Sequence, residues 1–259
     1  MPWLERPRAK IWYEIWPDPI QCTPRVLTLV NGHTRSSSDF RIMGRKLADA
    51  GLQVVTLDNR GAGKSEAETP FRVQDFAGDV CALWDHLGIE TSELLGISMG
   101  GLIAQVIAVN HPERVQRLWL VSTAPDRKWI RGGDSSWVTD AAGIEIKLRD
   151  YFAPEFIKRN ELLLQAMVKQ TQKAATDGDF IARAEAQRAA INAFEPPRIE
   201  RISCETVVIH GDQDAIVSIE GGKEIVRRIP NAKLKAISGA GHLLLAERPN
   251  DLFQIVADG

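Results

Sequence analysis

Short apolar, β-branched runs that end in glycine or polar turns alternate along this chain with stretches of helical periodicity. Residues 25–30 run into Asn31-Gly32, residues 52–57 into Asp58-Asn59-Arg60-Gly61, and Ser92–Ile97 into Ser98. Residues 118–122, 206–210 and 234–237 repeat the pattern, the last two ending at Gly211 and at Gly239-Ala240-Gly241. Between them, residues 39–50 place Phe40, Met43, Leu47 and Ala50 at helical spacing, and residues 74–87 do the same with Phe76, Val80, Leu83, Trp84 and Leu87. Residues 100–109 are apolar almost all round, as in a helix buried against a sheet. This alternation predicts an α/β architecture, a mostly parallel β-sheet flanked by helices on both faces. Residues 10–16 are expected to add an antiparallel strand at one edge.

The alternation stops between about Pro125 and Ile202. Two helical patterns dominate there, over residues 161–175 and 180–194, with Gly132-Gly133 and Pro196-Pro197 as punctuation. The reading is a helical cap, residues 125–201, inserted after the sixth main strand of a core formed by residues 1–124 and 202–259. A chain of 259 residues is long enough for one such domain with a well-buried core.

Charge narrows the partners. Lys plus Arg number 32 and Asp plus Glu 34, a net charge of −2, so no electrostatic footprint for nucleic acid or an anionic membrane is expected. Local pocket chemistry must then hold a small-molecule substrate. Cys22, Cys81 and Cys204 show neither metal-ligand spacing nor a disulfide framework, which reads as buried structural thiols in a reducing compartment. The first sixteen residues carry charges where a signal peptide needs an uninterrupted apolar stretch. With no run near the ~18 apolar residues of a membrane span, a cytoplasmic protein, monomer or homodimer, is expected.

The sharpest chemical signal is Gly96-Ile97-Ser98-Met99-Gly100-Gly101, between a strand pattern and a helix pattern. A nucleophile lifted out of a sheet on a sharp strand-to-helix turn needs residues without bulk two before and two after it. A serine hydroxyl also needs a base. His242 follows a strand in a small-residue loop, at the strand end where ligands gather in open α/β sheets. His86 and His111 read as structural or solvated, and His210, which ends a strand before Gly211, as a core or strand-end residue. The orienting carboxylate is expected on a loop after an intermediate strand, where Asp212 and Asp214 both stand. Asp214 is preferred because it lies farther into the turn, whereas Asp212 would cap the turn through backbone amides. The backbone N–H groups of Met99 and His33 are the expected oxyanion donors, and whether the His33 imidazole also lines the pocket is left open.

In the order Ser98, Asp214, His242, these residues resemble the α/β-hydrolase superfamily over essentially the whole chain. Asp58-Asn59-Arg60-Gly61-Ala62-Gly63-Lys64-Ser65 looks like the family's structural D-x-R-G-x-G-x-S turn. GISMGGLIAQ, HPERVQRLWLVST, VVIHGDQDAIV and GAGHLLLAERP are similar to segments of its esterase branch, which includes enol-lactonases and anthracycline methylesterases. Residues 151–156 resemble a cap segment of those enzymes. Asn31-Gly32 departs from the usual His-Gly, and serine at position 98 disfavours dehalogenase and epoxide hydrolase chemistry. The resemblance implies the α/β-hydrolase fold and a serine hydrolase of esters or lactones that needs no cofactor or metal. Carbon–carbon hydrolysis of a diketone and a slow-turnover receptor are the alternatives. Within the cap, Trp129 and Trp137 are the expected pocket-lining residues, while Phe152, Phe156 and Met167 read as the cap's own small core.

Overall fold

The computed structural model describes residues 2–20, 25–131 and 138–259. Its elements in chain order are β1 (Trp3–Arg6), β2 (Ala9–Trp16), β3 (Val26–Val30), α1 (Arg41–Asp49), β4 (Gln53–Leu57), β5 (Glu66–Ala67), α2 (Val73–Leu87), β6 (Ser92–Ile97), α3 (Met99–Asn110) and β7 (Val115–Val121). Four helices follow: α4 (Ala141–Asp150), α5 (Pro154–Arg159), α6 (Glu161–Ala175) and α7 (Gly178–Asn192). The chain then returns through β8 (Glu205–Gly211), α8 (Ile219–Arg228), β9 (Ala232–Ile237), α9 (Leu244–Glu247) and α10 (Pro249–Ala257).

The sheet runs in the order β1-β2-β4-β3-β6-β7-β8-β9, with β5 paired to β2. From β4 to β9 every neighbouring pair is parallel, and β1, β2 and β5 are antiparallel additions. The strand predicted at the edge is therefore one place in from it. β1 covers it, held by the register Trp3↔Trp12 to Arg6↔Ala9 across a tight turn that the charged N-terminal sequence conceals.

Helices cover both faces because each presents one apolar stripe. On one face Phe76, Val80, Leu83 and Trp84 of α2, most of α3, and Ile225 of α8 pack on the sheet. On the other, Met43 and Leu47 of α1 meet Leu252 and Val256 of α10. Helix α3 is buried over ten of its twelve residues, as its continuous apolar run requires. The buried Trp84 indole N–H donates to Thr28 Oγ1 at 2.7 Å, so even this ring leaves no stranded donor.

Among the described residues, the insertion between β7 and β8 holds four α-helices rather than two. Helices α4 and α5 escape a periodicity reading because α4 buries only Ile144 and α5 only Ile157 on their own. Together with Phe152, Leu164 and Val168 these residues make a separate small core, against which Tyr151, Phe156, Met167 and Leu243 pack. Phe152 and Phe156 stack at 5.4 Å between centroids. Cys81 and Cys204 are half-buried free thiols rather than fully buried ones, and burial raises both above the usual thiol range, Cys81 to about 11. Among the described residues no helix is long and apolar enough to cross a membrane.

The turn at residues 58–65 ties this frame together. Asp58 accepts the N–H groups of Ser37 and Lys64 at 2.6 and 2.8 Å, and Ser65 Oγ donates to the Asp58 carbonyl. Arg60 forms a two-point pair with the buried carboxylate of Asp79, at 2.7 and 2.9 Å, and Arg6 adds a third contact at 3.0 Å. Removing one member of a buried ion pair leaves charge stranded in a poorly solvated place. Asp79→Ala is therefore expected to lower the unfolding free energy by about 3–5 kcal/mol in urea titration, and a loss near zero would contradict the pairing.

Candidate active site

β3 leads to β4 on one side of the sheet, while β6 leads away on the other, so the chain reverses direction between β3 and β6. Ligands in open α/β sheets bind outside the carboxyl ends of the strands at such a switch point. The loop after β3 and the turn after β6 both lie there. A Cβ placed on Gly32 would come within 3.3 Å of Ser98 Cβ.

Ser98 sits between β6 and α3 with φ 54° and ψ −115°, a conformation that L-residues with side chains seldom adopt. Space for it exists only because its neighbours lack side chains. A Cβ on Gly96 would lie 2.2 Å from the Gly100 carbonyl oxygen, and one on Gly100 would lie 2.1 Å from that of Val30. The turn is pinned by Ser98 N–H donating to Val121 O at 2.9 Å and by Thr123 Oγ1 donating to Ser98 O at 2.8 Å.

Three side chains meet in line. His242 Nε2 lies 3.1 Å from Ser98 Oγ, and His242 Nδ1 lies 2.8 Å from Asp214 Oδ2. An ionised carboxylate only accepts, so the imidazole proton belongs on Nδ1 and Nε2 is left to accept from the serine hydroxyl. The Asp214 side chain is fully enclosed and that of His242 is 4% exposed. Burial alone would raise the Asp214 carboxyl, but the neighbouring imidazoles of His242 and His210 outweigh it and hold the group well below the usual carboxylate range. Its second oxygen, Oδ1, accepts the N–H groups of Ile216 and Val217 at 2.9 and 2.8 Å. Asp212, the rival carboxylate, accepts the Gly239 N–H at 2.7 Å, a backbone amide as expected but in the loop after β9 rather than in its own turn.

Two backbone amides next to Ser98 remain uncommitted. In the loop after β3, Gly32 N–H donates to Asn31 Oδ1, Thr34 N–H to Gln187 Oε1, and Arg35 N–H to the Gly32 carbonyl. Among the described residues, the amides of His33 and Met99 find no acceptor, the latter at the first position of α3 where helix N–H groups are open. The His33 imidazole does not depend on a substrate for a partner. Its Nε2 donates to the Ala184 carbonyl of α7 at 2.7 Å. Asn31, where the family usually has histidine, braces the same loop by donating to the Ser36 carbonyl and Asp39 Oδ2.

Trp129 is turned toward the sheet domain, where a Cβ on Gly221 of α8 would meet its Cβ at 2.9 Å and its Cγ at 3.1 Å. Its carbonyl accepts the Ser218 N–H. These contacts pack Trp129 against α8 through its Cβ and Cγ, while its indole N–H is buried with no acceptor among the described residues. Trp137 lies outside the described residues.

Residues 21–249 match the family described as serine aminopeptidase, S33. The chain belongs to this family of α/β-hydrolases. Among curated relatives of this α/β-hydrolase, 3-oxoadipate enol-lactonase 2 of Acinetobacter baylyi is 28% identical over 206 residues, 76% of this chain and 74% of that protein. The 2-hydroxymuconate semialdehyde hydrolase of Pseudomonas putida is 27% identical over 221 residues, 79% and 75% of the two chains. The solved enol-lactonase of Burkholderia xenovorans superposes with a TM-score of 0.84 at 26% identity, over 99% of this chain and 98% of that one. The chain is thus a hydrolase of the α/β-hydrolase superfamily, similar to an enol-lactonase and to a semialdehyde hydrolase.

Four contributors to the site lie outside the residues that the sequence reading assigns to it. His210, read as a core residue, is indeed fully buried, yet its Nε2 stands 2.9 Å from the Val217 carbonyl and 3.3 Å from Asp214 Oδ2. The Tyr151 carbonyl accepts the N–H groups of both His242 and Leu243, and its ring meets the His242 ring edge-on at 5.6 Å. The Glu247 carboxylate accepts the N–H groups of Gly241 and Ala153, joining the His242 loop to the cap. Burial raises its carboxyl pKa despite those two amides. Gln187 is the fourth, a glutamine on an alanine-lined face of α7, and that composition was the available signal.

Burial beneath the cap lowers the His33 imidazole from 6.5 to about 4, against the opposing pull of its bond to Ala184. A depressed histidine keeps the folded state neutral while the unfolded chain takes up a proton. Its contribution to stability is full above about pH 6.5 and is lost as pH falls toward 4. Denaturant titrations at pH 7 and at about pH 4.5 are expected to show wild-type stability falling. His33→Phe, which cannot titrate, should fall less steeply, and parallel slopes for the two proteins would contradict this assignment.

Proposed function

We propose that this hydrolase cleaves a carboxylic ester or lactone of a small apolar or aromatic substrate by two-step acyl transfer, with Ser98 as nucleophile. The observation that carries this reading is the line from Ser98 Oγ through His242 to Asp214, at 3.1 and 2.8 Å, set beside two uncommitted backbone amides.

In the first step Ser98 Oγ attacks the carbonyl carbon while its proton passes to His242 Nε2. Asp214 holds the Nδ1–H and stabilises the imidazolium that forms. The His33 and Met99 N–H groups receive the oxyanion of the tetrahedral intermediate. As the intermediate collapses, the carbon–oxygen bond to the leaving group breaks and His242 returns the proton to that oxygen. Water then repeats the sequence on the acyl-serine, giving the acid and free Ser98. The named activities of the relatives support this reading: one is an enol-lactonase and the other a semialdehyde hydrolase. The second relative also favours an alternative, hydrolysis of a carbon–carbon bond in a diketone-type substrate through the same side chains.

A fluorophosphonate probe is expected to label Ser98, and p-nitrophenyl esters of short and medium acyl chains should be turned over steadily. Parallel assays on an enol-lactone, a diketone ring-fission product and an aminoacyl anilide separate lactonase, carbon–carbon hydrolase and peptidase. Ser98→Ala should lower kcat by a factor on the order of 10⁴ or more with the circular dichroism spectrum unchanged. Near-normal turnover by that variant would overturn the assignment of the nucleophile. Labelling without turnover on any substrate would favour a slow receptor.

A further inference from the structure

Helix α7 of the cap reaches the loop after β3 through one side chain. Gln187 is 0% exposed, and its neighbours on the buried face, Ala184 and Ala190, are small enough to let the helix lie close. Its Oε1 accepts the Thr34 N–H at 2.7 Å and its Nε2 donates to the Arg60 carbonyl at 2.7 Å. Arg60 is itself locked by Asp79. Thr34 stands at φ 61°, in the left-handed region that a β-branched residue avoids, so this backbone needs something to hold it there. One residue earlier is the uncommitted amide of His33, whose imidazole is bonded to Ala184 of the same helix.

We propose that Gln187 is the positioning residue of the oxyanion site: by gripping the His33–Thr34 peptide against Arg60, it keeps the His33 N–H aimed beside Ser98. The inference rests on the serine-hydrolase reading above. Gln187 touches no reacting atom. It acts through the loop, so docking of the cap and assembly of the oxyanion donors are one event. Loss of its two hydrogen bonds frees Thr34 to leave the left-handed region, which opens the turn closed by Arg35 N–H on the Gly32 carbonyl and releases the Gly32–His33 peptide that carries the His33 N–H.

Gln187→Met keeps the length and volume of the side chain while removing both bonds. It is expected to lower kcat for a p-nitrophenyl ester by roughly 10- to 100-fold, less than outright loss of an oxyanion donor, with KM changed by under about threefold. Binding of an alkyl boronic acid, whose serine adduct carries the same anionic oxygen, should weaken by the same factor as kcat. A purely structural residue would lower the melting temperature and leave both quantities of the folded fraction alone. Thr34→Gly supplies the second background, because glycine adopts the left-handed conformation without strain. There the kcat loss caused by Gln187→Met should be clearly smaller, and this background keeps the double variant foldable.

Wild-type kcat in Gln187→Met, a loss confined to KM, or an equal loss in both backgrounds would overturn the inference alone, provided wild-type protein labels at Ser98 and turns over. A wild-type protein that does neither overturns the underlying reading and this inference with it.

Discussion

The site depends on a steric constraint, the absence of side chains around one backbone turn. β6 lies in the middle of the sheet, and the chain must leave it, turn sharply and enter α3 within one residue. Ser98 takes up that turn at positive φ, and nothing larger than hydrogen fits at Gly96 or Gly100 without striking a backbone carbonyl. From this follow the position of the hydroxyl above the carboxyl edge of the sheet, the open amide at the start of α3, and the closeness of the loop after β3. A helix that is apolar all round is the other half of the same constraint, since α3 must be driven wholly into the core to hold the turn shut.

Around that turn the electrostatics are arranged so that a charge is buried without being stranded. Asp214 is enclosed, yet it receives two backbone N–H groups on one oxygen and two imidazoles near the other. Such a carboxylate stays ionised and holds the His242 ring in one tautomer, which orients Nε2 toward Ser98. The second imidazole, His210, belongs to the strand that leads into the same loop. It links the rigid core of the sheet to a residue whose work lies at the sheet's edge.

The cap is joined to the site at two points. The Tyr151 carbonyl and the Glu247 carboxylate tie it to the loop of His242, and the Ala184 carbonyl and Gln187 tie it to the loop of His33. Its own core is small, and other apolar residues of the cap, among them Ala190, Phe194 and Ile199, pack with the core of the sheet domain. Changes in the cap that alter substrate choice therefore act on the orientation of the chemical groups as well as on the shape of the space above them.

The sequence by itself determined the alternation of strands and helices in the sheet domain and the sharp turn at Ser98, and it singled out His242 and Asp214, which the fold brings beside that serine. Each of these is a local matter: periodicity over a few residues, small residues at a forced turn, a carboxylate placed far enough into its own loop. Asp212 ranks below it on the same local ground, although the amide it holds, that of Gly239, lies 27 positions away. What only the tertiary structure decided are relations between distant segments. The N-terminal β1 outside β2 and the weakly amphipathic α4 and α5 exist because other elements cover them, and no stripe of their own announces them. Trp129 packs its Cβ and Cγ on α8, a contact that no local pattern announces. The partners of His33, the two imidazoles at Asp214 and the bridge made by Gln187 join residues 4 to 153 positions apart. A hydrogen bond between such residues leaves no periodicity in the chain, because its geometry is set only when the sheet, the cap and the loops between them have closed on one another.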